Sequence, residues 1–124
     1  MDLESLRRFC LAFPGAAEDM PWDDDLCFKV GGKIFAGISL STVPQGITLK
    51  CDPERFAELV EREGVGPAPY VGRYKWVRIE GLNTLHASEL KELIEDSYRM
   101  VAAKAKPTKG ARSKPKMIKA KRKR

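Results

Sequence analysis

The 124-residue sequence predicts an α+β fold, an antiparallel sheet with helices packed on one face. Three observations predict it. Apolar residues recur at helical spacing near both ends of the first hundred residues and alternate with period two in the middle. The strand-like runs follow one another through short turns, without the βαβ alternation of a parallel sheet. Apolar residues make up 43% of the chain, enough for one core and one domain. The predicted order is α-β-β-β-α-β-α over residues 1–103, with a basic tail over 104–124.

Each element has its own signal. Leu3, Leu6, Phe9, Cys10 and Phe13 form the stripe of a first helix. Asp2 and Glu4 stand at its start, where the helix dipole favours them, and Pro14-Gly15 ends it. The polar stretch through Pro21-Trp22 to Asp23-Asp24-Asp25 reads as a connection. Leu26–Val30 is the first strand, and Gly31-Gly32 is a hairpin turn because both positions tolerate positive φ. Lys33–Leu40 follows, with Ile34, Ala36, Ile38 and Leu40 on one face. Val43-Pro44-Gln45-Gly46 turns the chain into a third strand, Ile47–Cys51. Asp52-Pro53 starts the second helix, since Asp caps and Pro suits the first turn. Phe56, Leu59 and Val60 are its apolar stripe, and Gly64 stops it. Residues 64–72 hold three Gly and two Pro and read as a loop. Tyr74–Ile79 alternates as a fourth strand, with Tyr74, Trp76 and Arg78 opposite Lys75, Val77 and Ile79. After Gly81-Leu82-Asn83 comes the last helix, starting between Thr84 and Ser88 and burying Leu90, Leu93, Ile94, Ser97, Tyr98 and Val101.

The net charge of +6 is split unevenly. From Lys104 onward there are eleven basic residues and no acidic ones, whereas residues 1–103 hold twelve basic and seventeen acidic residues, about −5. The tail has no periodicity and two Pro, so it buries too little to offset its ordering entropy and is expected to be disordered. A flexible polycation on an acidic body seeks polyanions. Lys114, Lys116, Lys119, Lys121, Arg122, Lys123 and Arg124 are the tail's candidates for phosphate contacts. They lack interleaved aromatics, so base stacking is not expected from them.

Several classes are disfavoured. No run of 18 apolar residues marks a membrane span, and Met1-Asp2-Leu3-Glu4 does not open a signal peptide. Cys10, Cys27 and Cys51 are odd in number and lack CxxC spacing, which reads as buried free thiols in a reducing, cytoplasmic setting. His86 is the one histidine, so His-based metal sites and Ser-His-Asp triads are not expected. Glu58, Glu61, Glu80, Glu89 and Glu92 show no acid–base spacing, and Asp23-Asp24-Asp25 lacks the calcium-loop pattern. The sequence is therefore read as non-enzymatic, with no cofactor, metal or membrane partner.

Within the domain, Lys29, Lys33, Arg73, Lys75 and Arg78 interleave with Phe28, Phe35, Tyr74 and Trp76. Cations beside exposed aromatics are what a sheet needs to hold a nucleic-acid strand. The plain alternative is alternation, with aromatics in the core and cations in solvent. On the strand reading, Tyr74 and Trp76 share a face and are both buried or both exposed. A nucleic-acid role for the domain requires the cations on one face. The competing function is a small protein- or ligand-binding module with a groove near Trp22, Tyr70 and Trp76.

The order of several short pieces resembles the YjbR/MmcQ family of small bacterial proteins. The pieces are Phe13-Pro14-Gly15, Pro21-Trp22, Phe28-Lys29-Val30, Gly32-Lys33-Ile34-Phe35-Ala36 and Leu49-Lys50-Cys51. They continue with Pro67-Ala68-Pro69-Tyr70, Lys75-Trp76-Val77 and the run from Leu90 to Tyr98. The resemblance spans roughly residues 3–102 and leaves out the tail. It implies a fold similar to the bacterial frataxin relatives (CyaY-like). It also implies a double-wing DNA-binding role in which sheet hairpins are the wings. Many members carry a His shortly before the Trp of the fourth strand; here Gly72-Arg73-Tyr74-Lys75-Trp76 has none, so any role of that His is missing.

Overall fold

The computed structural model describes residues 1–104 apart from Asp23 and Tyr70, with Pro21 and Trp22 described by their backbone alone. The seven tail candidates from Lys114 to Arg124 lie outside the described residues.

Helix α1 spans Leu3–Leu11. The Asp2 carboxylate caps it, accepting from the Ser5 amide at 2.8 Å, a bond that holds this carboxyl below its ordinary range. Leu6 and Cys10 are its fully buried residues. Strands β1 (Ala17–Trp22), β2 (Asp25–Val30), β3 (Lys33–Ser39) and β4 (Ile47–Lys50) follow. Helix α2 (Pro53–Leu59) is capped by Asp52, with Pro53 at its start. Strands β5 (Val65–Pro67) and β6 (Trp76–Ile79) and helix α3 (Ala87–Lys104) complete the fold. The sheet order is β1-β2-β3-β4-β6-β5, and every neighbouring pair is antiparallel.

The predicted α+β class holds, and the sheet is larger than expected. The stretch read as a polar connection is edge strand β1, which pairs Ala17 with Lys29 and Asp19 with Cys27. The loop read over 64–72 contains the other edge strand, β5. The fourth predicted strand is shorter than read. It begins at Trp76, because Gly72–Tyr74 form a 3-10 turn and Lys75 takes a left-handed φ of 70°. Tyr74 and Trp76 therefore do not share a strand face. Helix α3 continues to Lys104, one residue past the expected boundary.

Alternation sorts the sheet into two faces. Leu26, Phe28, Ala36, Ile38, Ile47, Leu49, Val77 and Ile79 point to the helix side and are buried there with Leu59, Leu90, Leu93 and Ile94. A bulge between Phe28 and Lys29 shifts the β2–β3 register and turns Phe35 into this core as well. Phe35 meets Tyr98 edge-on at 5.3 Å, and Tyr98 stacks on Phe13 at 4.5 Å.

Ser97, the one buried polar residue among the described residues, answers the irregularity. Its hydroxyl donates to the Phe35 carbonyl at 2.6 Å and accepts from the Lys50 amide at 3.0 Å. One side chain of α3 thus replaces the β3–β4 ladder bond displaced at the bulge. The three cysteines are buried and free. Burial pushes the Cys10 thiol up to about 12 and, with Asp52 nearby, Cys51 to about 11, so neither is a thiolate at neutral pH. Arg55 and Arg62 of the α2 region bridge to Glu89 of α3 at 3.3 and 2.7 Å, docking the two helices on one side of the sheet.

Candidate nucleic-acid interface

Among the described residues, no α-helix covers the other face of the sheet. Register places there the residues between the core positions: Asp25, Cys27 and Lys29 of β2, and Ile34, Gly37 and Ser39 of β3. Thr48 of β4 stands beside Gly37, and Thr48 and Lys50 stand opposite Arg78 and Trp76 of β6. The two ends of the face differ. Asp25 and Ser39 lie at one end of a hollow of about 340 Å³ lined by Cys27, Ile34, Gly37, Thr48, Val71 and Trp76. Beyond Ile34 and Trp76, which line both, a second cleft of about 430 Å³ is walled by Lys29, Lys33, Lys50 and Lys104.

The predicted residues divide between these surroundings. Lys29, Lys33 and Trp76 come together in the lysine-walled cleft. Lys29 is ion-paired to Asp19 of β1 at 2.7 Å, which holds Asp19 below the ordinary carboxylate range and raises the lysine. Lys33 is exposed at the end of the β2–β3 hairpin, whose Gly31 and Gly32 have φ of 58° and 80°. Trp76 is half-buried on the open face, and the Lys50 Nζ lies 6.0 Å from its ring centroid.

Arg73, Tyr74 and Lys75 are placed elsewhere. Arg73 lies on the Tyr74 ring at 4.9 Å in the 3-10 turn, where Tyr74 is 54% exposed. Lys75 turns away, its Nζ 5.1 Å from the Phe56 ring of α2. Phe28 and Phe35, read as possible surface aromatics, are fully buried. Arg78 is on the open face but at the Asp25 end, donating to the Ser39 hydroxyl at 3.3 Å. The cations read from the sequence therefore do not form one face as a set.

Two lysines missed by sequence reasoning complete the group. Lys50 reaches the cleft because β4 pairs with β6 across the long α2–β5 connection, setting it opposite Trp76. Its signal was present, since Ile47 and Leu49 point inward and Lys50 must point outward. Lys104 reaches it because α3 crosses β3 and β4 and ends there. Lys33, Lys50 and Lys104 enter no salt bridge among the described residues, unlike Lys29. Of the groove expected near Trp22, Tyr70 and Trp76, Trp76 lines a hollow; the side chain of Trp22 and all of Tyr70 lie outside the described residues. Among the described residues, no group of three His, Cys, Asp or Glu side chains is placed to hold a metal ion. No described helix is long and apolar enough to cross a membrane.

A six-stranded antiparallel sheet with helices on one face and a lysine-rimmed open face defines a small α+β protein. The YjbR family model matches residues 11–100, and the chain belongs to that family. It is similar to a Deinococcus radiodurans protein with a DUF419 domain at 31% identity and a TM-score of 0.76, over 82% of this chain and 79% of that one. A Pseudomonas syringae protein shares the fold. Its crystal structure matches at 24% identity and TM-score 0.68 over 82% of this chain and 99% of that one. The solution structure of a Pseudomonas syringae protein under the same target name matches at 23% and 0.64, over 82% and 93%. No curated protein matches the chain.

Proposed function

We propose that this chain is a non-enzymatic, cytoplasmic nucleic-acid-binding protein, with DNA as its main partner, that holds phosphates between its basic tail and one end of its open sheet face. One observation carries the reading: Lys104, where the basic tail begins, lines the same cleft as Lys29, Lys33, Lys50 and Trp76. The tail's remaining cations follow Lys104 in sequence. An acidic domain is compatible with phosphate binding where several of its cations stand together, as Lys33, Lys50 and Lys104 do. Wings in the family sense correspond here to the β2–β3 hairpin, whose tip bears Lys33.

The test is a fluorescence anisotropy titration of labelled DNA across a salt series. Each phosphate neutralised adds about −0.9 to the slope of log K against log salt on B-DNA. The K33E/K50E double variant of the full chain is expected to weaken binding and to flatten that slope by about two. The chain ending at Lys104 should bind more weakly than the full chain yet remain sensitive to K33E/K50E. Binding that depends on the tail and ignores Lys33 and Lys50 would remove the sheet face from the reading. Absence of binding by the full chain at low salt would end it.

A further inference from the structure

We infer that the hollow over Gly37 is a seat for one unpaired nucleobase, which makes the open face a site for single-stranded nucleic acid. The inference deepens the nucleic-acid reading and rests on it.

Gly37 stands in the interior of β3, between Cys27 of β2 and Thr48 of β4. It has no positive φ, and a Cβ built on it would meet no atom of the described residues within 4 Å. Neither the backbone nor the packing of the described residues requires glycine there, although glycine weakens a strand interior and a β-branched residue would strengthen it. The missing side chain leaves the apolar hollow of about 340 Å³, at the lower end of the roughly 300–1,000 Å³ of small-molecule sites. That space suits one ring system. Trp76 bounds it with a half-buried indole, the surface on which bases of any sequence stack.

Charge fixes the orientation and the class of occupant. The hollow opens past Ile34 and Trp76 onto Lys29, Lys33, Lys50 and Lys104, so a group with an apolar ring and an attached phosphate fits with its phosphate at the lysines. Asp25 at the opposite end can accept from an exocyclic amine, which adenine, cytosine and guanine carry and thymine lacks. A duplex keeps its base faces inside the stack and cannot fill the hollow. A strand is favoured over a free nucleotide because the basic tail starts at the same lysines and offers phosphate contacts to successive nucleotides.

The experiment compares a labelled twelve-nucleotide single strand with the duplex of the same sequence, using the full chain at fixed salt. The wild-type chain is expected to favour the single strand, with quenching of indole fluorescence. Gly37→Val should unfold at an unchanged or higher temperature and lose about tenfold or more of its single-strand affinity, the fold-change that one base stack brings. Trp76→Ala should lose a similar factor. A Gly37→Val chain that is fully folded and binds the single strand as tightly as wild type would overturn the inference. So would a wild-type chain that binds duplex at least as tightly, or that is displaced as well by a free mononucleotide as by an unlabelled strand. If the chain binds duplex but has no single-strand preference, the seat alone fails. If it binds neither, the nucleic-acid reading fails with it.

Discussion

On its helix side the sheet presents Leu26, Phe28, Ile38, Ile47, Leu49, Val77 and Ile79, all buried. On its open side the same strands present Asp25, Cys27, Gly37, Thr48 and Trp76, among which a hollow remains. Neighbouring residues on one strand thus answer to different demands. The inward set is selected for volume and fills the space under α1, α2 and α3. The outward set leaves space unfilled and, with Lys33 and Lys104, places lysines at one end. Stability and the proposed binding are separated by a single step along the backbone, because successive side chains alternate across a strand.

That separation is breakable by mutation. The largest stability effect belongs to the inward set: Phe35→Ala removes a fully buried ring and should cost about 3–5 kcal/mol, read from urea unfolding. Ser97→Ala leaves the Phe35 carbonyl and the Lys50 amide without their shared partner inside the protein and should cost about 1–3 kcal/mol. Smaller effects sharpen the comparison at β1, whose acidic neighbours face opposite ways. Asp19 pairs with Lys29 on the open side, whereas Glu18 pairs with Arg7 of α1 at 2.6 Å on the helix side. Asp19→Asn frees an amine at the cleft and should raise affinity for DNA severalfold at low salt, whereas Glu18→Gln should leave it unchanged. The smallest effect is acid sensitivity shared by both faces. Hydrogen bonds from Arg7, Lys29 and Arg62 hold Glu18, Asp19 and Glu89 below their ordinary values of 4.5, 3.8 and 4.5. A carboxyl with a lowered folded pKa binds protons more readily when unfolded. Its contribution is therefore present above the ordinary carboxylate range and is lost as pH falls through the folded values. Urea midpoints should be flat from neutral pH to about 5 and decline below about 4. These pairs are partly exposed and screened by solvent, so the decline is gradual.

The helices and the three consecutive strands were legible because their signals are local. Asp2 and Asp52 are helix caps, Gly31-Gly32 is a turn, and period-two alternation from Leu26 to Leu49 marks strands. What was not legible depends on partners distant in sequence. Strand β1 reads Ala-Glu-Asp-Met-Pro-Trp, a composition poor in strand formers, and it is a strand because β2 offers it a ladder. Strand β5 is three residues long and hidden among glycines and prolines. The alternation around Tyr74 broke at Lys75, whose left-handed backbone no period-two pattern can reveal. Of the candidate face, Lys29, Lys33 and Trp76 were visible as local clusters. Lys50 and Lys104 needed the β4–β6 pairing and the path of α3. Gly37 gave no signal, since a strand glycine becomes informative only when its surroundings are known to be empty.

The two strands hardest to read are also the outermost ones, β1 and β5. Sheet margins invite strand addition, from fibril growth to peptide docking, through unpaired amides in a row. Here one margin carries Glu18, Asp19 and Pro21, and the other is three residues ending in Pro67. Proline offers no amide, charge resists close stacking, and three residues are too few to seat a partner strand firmly. The molecule is thereby guarded against recruiting copies of itself sideways, and its approachable side is the open face.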